Sequence, residues 1–174
     1  MSLPASCDSS FVIRPLTHAD LSGLAQVQLA CYGSDYVEST EVFARRLSCA
    51  ANCSLAVERG GRVLAYLAAY RSLLSKVTPM HGDFEAVARP DTLYLHDMAV
   101  HPEAAGQGLA RALLGPLMEQ ARAQGLLHTA LVSVQGSQGY WERHGYQVQA
   151  LGDAAQLRHL HSYGEHALYM SKGL

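Results

Sequence analysis

The sequence predicts an α/β (α+β) fold in which helices cover a mixed sheet. Segments with the period of strands and of helices follow one another in the order β-α-α-β-β-β-α-β-α-β-β, about seven strands and four helices. The strand over 92–100 leads through a glycine turn into a long amphipathic helix, the junction that most constrains the architecture. At 174 residues and 49% apolar content the chain is expected to be a single domain, 1–174, with one sizeable core over about 11–172.

Each element has its own signal. Residues 11–14 alternate as a first strand, and Thr17 to Asp20 form a capping box ahead of Leu21, Leu24, Ala25 and Gln28, which fall on helical spacing. A tyrosine-bearing loop follows over 31–38. Ser39 or Thr40 then caps a second helix with Val42, Phe43 and Leu47 on its inner side. The strands 54–58 and 62–71 flank Arg59-Gly60-Gly61, the composition of a tight hairpin turn. Pro79, Gly82 and Pro90 mark a loop over about 73–90 before the strand 92–100. The principal helix, 106–124, has Gly125 in its C′ position, and Pro116 beside Gly115 is expected to kink it. A strand over 127–134, a short helix over 137–144, a strand over 146–151, a loop and a closing strand over about 166–171 complete the chain.

Bulk properties exclude several functions. A net charge of −2 and a pI near 6.5 offer no basic field for nucleic acid or an anionic membrane. No 18-residue apolar run and no cationic start with an apolar region appear, so a cytoplasmic location is expected. Cys7, Cys31, Cys49 and Cys53 lack C-x-x-C spacing and read as free thiols. His159, His161 and His166 lack cysteine or paired-glutamate partners, so no metal is expected.

The segment 92–114, TLYLHDMAVHPEAAGQGLARALL, carries the chemistry. A strand, a glycine turn and a helix start in that order aim unpaired N–H groups and a positive dipole end at one point, which suits a diphosphate. The dinucleotide fingerprint would need glycine at Arg111 and an acidic residue near Leu131; the P-loop would need Gly-Lys where the chain has Arg111-Ala112. What remains, V-x-P-x-x-x-G-x-G-x-A followed by R-A-L-L, closely resembles the signature of the GNAT superfamily of N-acetyltransferases. A second segment, Tyr140-Trp141-Glu142-Arg143-His144-Gly145-Tyr146, resembles the second motif of that family. The likeness spans roughly residue 11 to the C-terminus.

The resemblance implies a mostly antiparallel sheet with a V-shaped splay after the fourth strand, and acetyl-CoA as co-substrate without a metal. The amides of Ala105, Gly106, Gln107, Gly108, Leu109, Ala110 and Arg111 would hold the pyrophosphate, although Ala105 stands where the family prefers Arg or Gln. Backbone groups of Met98, Ala99 and Val100 would bind the pantetheine arm, with Trp141 packed on it and Arg143 placed for a phosphate. The sheet edge of such a fold often serves homodimers.

Acetyl transfer to an amine needs a base, a polarised carbonyl and a proton for the departing thiolate. Period-two alternation puts Tyr94, His96 and Met98 on one face and Leu93, Leu95 and Asp97 on the other, unless a bulge intervenes. His96 is the candidate base, because imidazole titrates at about pH 6.5, and it lies where arylalkylamine N-acetyltransferases of the superfamily place a base histidine. Asp97 either orients His96 or serves as base itself. Trp141 occupies the position of the family's acid tyrosine and has no titratable proton, which leaves Tyr163 or water as the acid. Tyr140 is expected to be core. Tyr32, Glu38 and Tyr70 are the candidate substrate contacts, Glu38 as the attractor of a cationic amine. The expected activity is transfer to a primary amine of a small molecule by direct attack in a ternary complex. A non-catalytic acyl-CoA sensor and a protein N-terminal or lysine acetyltransferase remain as alternatives.

Overall fold

In the computed structural model, which describes residues 10–174, one seven-stranded sheet runs through the chain in the order β1-β2-β3-β4-β5-β7-β6. Its strands are β1 (Val12–Pro15), β2 (Leu55–Arg59), β3 (Arg62–Ser72), β4 (Thr92–Val100), β5 (His128–Ser133), β6 (Gln147–Val148) and β7 (Leu168–Gly173). Neighbours pair antiparallel except β4 and β5, which run parallel. The helices are α1 (Leu21–Tyr32), α2 (Thr40–Leu47), α3 (Leu109–Ala123), α4 (Gln138–Arg143) and α5 (Ala154–His161).

Local chemistry accounts for most boundaries. Asp20 Oδ2 accepts from the backbone N–H of Thr17 at 2.8 Å and from its hydroxyl at 2.9 Å, which starts the first helical segment. Ser39 Oγ accepts from Val42 N at 3.3 Å at the head of α2. Gly60 and Gly61, at φ of 60° and 79°, close the β2–β3 hairpin in the left-handed geometry that matches strand twist. At the end of α3, Leu126 N donates to Ala121 O and Gly125 N to Arg122 O, a Schellman cap. Helix α3 continues through Pro116, which lies on its exposed side, where the missing N–H faces solvent.

The segment between β6 and β7 departs from expectation. It holds the helix α5, headed by Asp153 Oδ1, which accepts from Ala155 N and Gln156 N at 2.8 and 3.0 Å. Leu157 and Leu160 turn inward from α5.

Two apolar layers sandwich the sheet. Leu113, Leu117, Leu93, Leu95, Trp141 and Tyr146 fill the α3 side. Leu24, Val27, Phe43, Tyr66, Tyr70, Phe84 and Tyr94 fill the α1–α2 side. Cys31, Cys49 and Cys53 are free thiols, and Cys7 lies outside the described residues. Among the described residues, no helix is long and apolar enough to cross a membrane, and no three metal-ligating side chains gather.

Candidate active site

Two features of β4 create the site. Against β3, Ala68 faces Asp97 and Ala69 faces Leu95, so His96 is the extra residue of a β-bulge. Against β5, β4 pairs only through Thr92–Leu95. Beyond Leu95 the two strands part, while β5 keeps β7 on its other edge as far as Ser133. The bulge shifts the alternation by one residue. Tyr94 and Ala99 lie on the α1–α2 side with His96 and Asp97, whereas Met98 packs on the α3 side. Met98 therefore does not share the face of His96, in contrast to the period-two reading.

His101 N donates to Leu64 O at 2.8 Å. Strand alternation then turns the amides of Met98 and Val100 toward the splay and that of Ala99 toward β3. A short 3-10 turn over Pro102–Ala104 leads to the glycine loop. Ala105, Gly106, Gln107 and Gly108 are exposed. Gly106 and Gly108 have φ of 74° and 76°, and Gly108 occupies the N-cap of α3 without any side-chain cap. The amides of Gly108, Leu109, Ala110 and Arg111 thus open α3 with no intrahelical acceptor, backed by the positive end of the dipole. A Cβ at either glycine would meet nothing within 4 Å, so the loop is open to a ligand as large as a diphosphate. These residues fit the acetyl-CoA that the sequence suggests.

Where β4 and β5 part lies a pocket lined by Tyr32, Tyr36, Glu38, Met80, His96, Asp97, Val132, Val134 and Tyr163. It brings His96, Asp97 and Tyr163 together with two of the three expected substrate contacts, Tyr32 and Glu38. Tyr70 is fully buried beneath it, stacked on Phe84 with ring centroids 4.3 Å apart, and its hydroxyl meets Thr78 Oγ1 at 2.5 Å. It is a core residue, on the side of β3 that the loop 73–90 covers.

Glu38 is committed within the protein. Its oxygens accept from Arg46 Nη1 and Nη2, each at 2.6 Å, from His81 N at 2.6 Å, and stand 2.8 Å from His96 Nε2. Burial alone would raise the Glu38 carboxyl, but its pairing with His96 and the hydrogen bonds of Arg46 hold it well below the carboxylate range. Glu38 is therefore a paired carboxylate, already neutralised, and not the open attractor of a cation that the sequence suggested.

Asp97 is likewise occupied. It accepts from the hydroxyls of Tyr32, at 2.7 Å, and Tyr66. Burial raises its carboxyl despite those two donors. The Tyr32 hydroxyl also lies 2.8 Å from Met98 O, so Asp97 ties the last residue of α1 to the bulge. Tyr163 donates to Thr78 O at 2.7 Å and lies 3.4 Å from His96 Nδ1; burial holds its hydroxyl protonated well above the usual range.

The second motif is largely architectural. Gly145 N donates to Glu142 O and Tyr146 N to Trp141 O, a Schellman cap on α4, and the Tyr146 hydroxyl meets that of Thr129 at 3.0 Å. Trp141 is buried edge-on between Tyr140 and Tyr146. Tyr140 is only half-buried, so Trp141 is the deeper core residue of the two. Arg111 and Arg143 are exposed.

Sequence reasoning missed Arg46, Met80, Val132 and Val134, whereas Tyr36 belongs to the tyrosine-bearing loop it marks. Arg46 had a signal: it falls with Val42, Phe43 and Leu47 on one stripe of α2, where an arginine requires a buried partner. The wall residues from the loop 73–90 and β5 have none.

A splayed sheet with an uncapped glycine-headed helix at its parting suits an acyl-CoA-dependent transferase, and comparison with known proteins agrees. Residues 21–146 match the model of the Acetyltransferase (GNAT) family, to which the chain belongs. It is an N-acetyltransferase of that family. No curated protein matches it. Among solved structures it is similar to the ribosomal-protein-S18-alanine N-acetyltransferase of Escherichia coli, with 17% identity over 94% of both chains and a TM-score of 0.68. It is also similar to the PaiA N-acetyltransferase of Thermoplasma acidophilum in complex with coenzyme A, with 13% identity over 95% of this chain and 99% of that one and a TM-score of 0.66. A third is a GNAT family acetyltransferase of Brucella melitensis in complex with acetyl-CoA, with 22% identity over 83% and 90% of the chains and a TM-score of 0.56.

Proposed function

We propose that this acetyltransferase moves an acetyl group to the primary amine of a small molecule by direct attack in a ternary complex. The observation that carries the reading is the pocket at the splay, where His96, Asp97 and Tyr163 stand together. Acetyl-CoA supplies an activated acyl group on a good leaving thiol. Gly106, Gly108, Leu109 and Ala110 hold its diphosphate, and the amides of Met98 and Val100 face its arm and acyl oxygen.

His96 acts as base and Tyr163 as the proton donor beside it. In the transfer a C–N bond forms, the C–S bond breaks, and the proton that leaves nitrogen ends on sulfur, so no external acid is consumed. Asp97 is a poorer base, because both of its oxygens already accept from tyrosines. The pocket walls, Tyr36, Met80, Val132 and Val134, suit the carbon skeleton of a small acceptor. They offer no free charge for a second ammonium or a carboxylate.

The test is acceptor-dependent release of thiol from acetyl-CoA across polyamines, arylalkylamines, amino acids and short peptides. Release with one class of small amine supports the reading. Release with peptides alone would move the assignment to a protein acetyltransferase.

A further inference from the structure

We infer that Arg46 and Glu38 are positioning residues that lock His96 in its Nε2–H tautomer, which turns Nδ1 to Tyr163 and makes the Tyr163 hydroxyl the group through which His96 exchanges protons with the acceptor. This rests on the reading of His96 as base.

The lock follows from donor and acceptor capacities. A carboxylate only accepts, so Nε2, 2.8 Å from Glu38 Oε2, carries the hydrogen. Glu38 remains a carboxylate because the Arg46 guanidinium grips both of its oxygens and His81 N adds a third donor. Arg46 is itself immobilised. Its Nε and Nη2 donate to Gly82 O at 2.9 and 2.7 Å, and its charge lies 5.1 and 5.2 Å from the ring centres of Phe43 and Phe84. The Gln28 amide clasps the Glu38 backbone from α1, donating to its C=O at 3.1 Å and accepting from its N–H at 3.0 Å.

This construction does little for packing. A desolvated ion pair is often no more stabilising than well-packed apolar residues of the same volume. What it does fix is the orientation of the imidazole, whose side chain is 1% exposed. The charged and titratable groups around that ring are Glu38, Arg46 through Glu38, Asp97, Tyr94 and Tyr163. Of these only Tyr163 meets Nδ1.

The proton path balances. The phenolic hydrogen, which rests on Thr78 O, swings to His96 Nδ1, and a proton leaving the acceptor nitrogen passes to Tyr163 Oη as that phenolic proton is given up. The reverse movement delivers a proton to the departing sulfur.

The test uses the full chain labelled with 15N-histidine, with the His96 signals assigned by their loss in His96→Gln. Long-range proton–nitrogen correlations of the neutral ring should show the Nε2–H tautomer; a resting Nδ1–H tautomer would overturn the inference. The second arm is the double variant Glu38→Gln/Arg46→Met, which leaves no buried charge unpaired and should keep the fold. It should give a mixture of tautomers and a displaced acid limb in the pH–rate profile. Its kcat should fall by at least about tenfold while the KM for acetyl-CoA stays within about twofold. A folded double variant with the tautomer and pH profile of the wild type would overturn the inference. Because the tautomer is read without substrate, a wild-type protein with the Nε2–H form but no acceptor-dependent thiol release would count against the proposed function and leave the lock standing.

Discussion

Glu38 Oε2 and His96 Nε2 stand 2.8 Å apart, although 58 positions separate the two residues in the chain. The contact joins the loop after α1 to the bulge of β4, at the point where β4 loses β5 as a neighbour. It gives the imidazole one fixed edge, and the cleft receives the other edge through Tyr163.

Replacement of His96 by alanine should lower kcat by about 10²- to 10⁴-fold, the span of general acid–base catalysis. Acetyl-CoA affinity should change by less than about twofold, since the hydrogen bonds of the ring go to Glu38 and Tyr163 and not to the glycine loop. Steady-state kinetics beside calorimetry separates the two quantities. An unaltered pH–rate profile would reject His96 as the base.

Gly108 sits at φ of 76° at the head of α3. A valine there is strained by about 1–3 kcal/mol, more than most residues because it is β-branched, and its side chain would enter the space left for a diphosphate. Gly108→Val should therefore weaken coenzyme A binding by at least about tenfold, with each tenfold equal to about 1.4 kcal/mol. Calorimetry with coenzyme A alone reads this directly, and an unchanged affinity would remove the loop from the site.

Tyr163→Phe deletes one hydroxyl and leaves the ring packed. The expected loss is about tenfold in kcat, the lower end for a proton-transfer group that water can replace. The KM for acetyl-CoA should hold. Full activity of this variant would assign both proton transfers to water.

Acid stability should carry the signature of Glu38. Its carboxyl is depressed in the folded protein, so its contribution is fully present above the unfolded value of 4.5 and is lost as pH falls through the lower folded value. Asp20, held down by hydrogen bonds from Arg14, acts in the same direction. Asp97 acts in the opposite one: burial raises its carboxyl, so the folded state gains relative stability when that group protonates. Glu41 and Glu85 are depressed as well, so with four depressed carboxyls against one raised, thermal melts should fall below about pH 4.5. In Glu38→Gln/Arg46→Met the fall should be shallower, and an identical slope would show that Glu38 is not linked to folding.

Much of this arrangement is visible in the residues themselves. The strand 92–100, the glycine loop and the C′ glycine of α3 are written in period and turn chemistry, and the structure places each within a few residues of its reading. Helix α5 was hidden because its eight residues mix Leu157 and Leu160 with Gln156, Arg158 and two histidines, a pattern that also suits a loop. Alternation along β3 marks two faces without saying which one the loop 73–90 covers, so it does not reveal Tyr70 as a core residue. The bulge at His96 has no residue-type signal; it is a register shift against β3, set by pairing across the sheet. Glu38 stands out in the sequence, whereas Arg46, a charge on a short helix, reads as solvated unless its place on the apolar stripe of α2 is given weight.

Transfer of an acetyl group to a small amine in this cleft, with His96 as base, is the central prediction. The most direct measurement is thiol release from acetyl-CoA with an amine panel, run in parallel for the wild type and His96→Ala. Release that depends on one class of small amine in the wild type, and collapses in His96→Ala while acetyl-CoA still binds, is the predicted result. Tight acetyl-CoA binding with no acceptor-dependent release from either protein would contradict it.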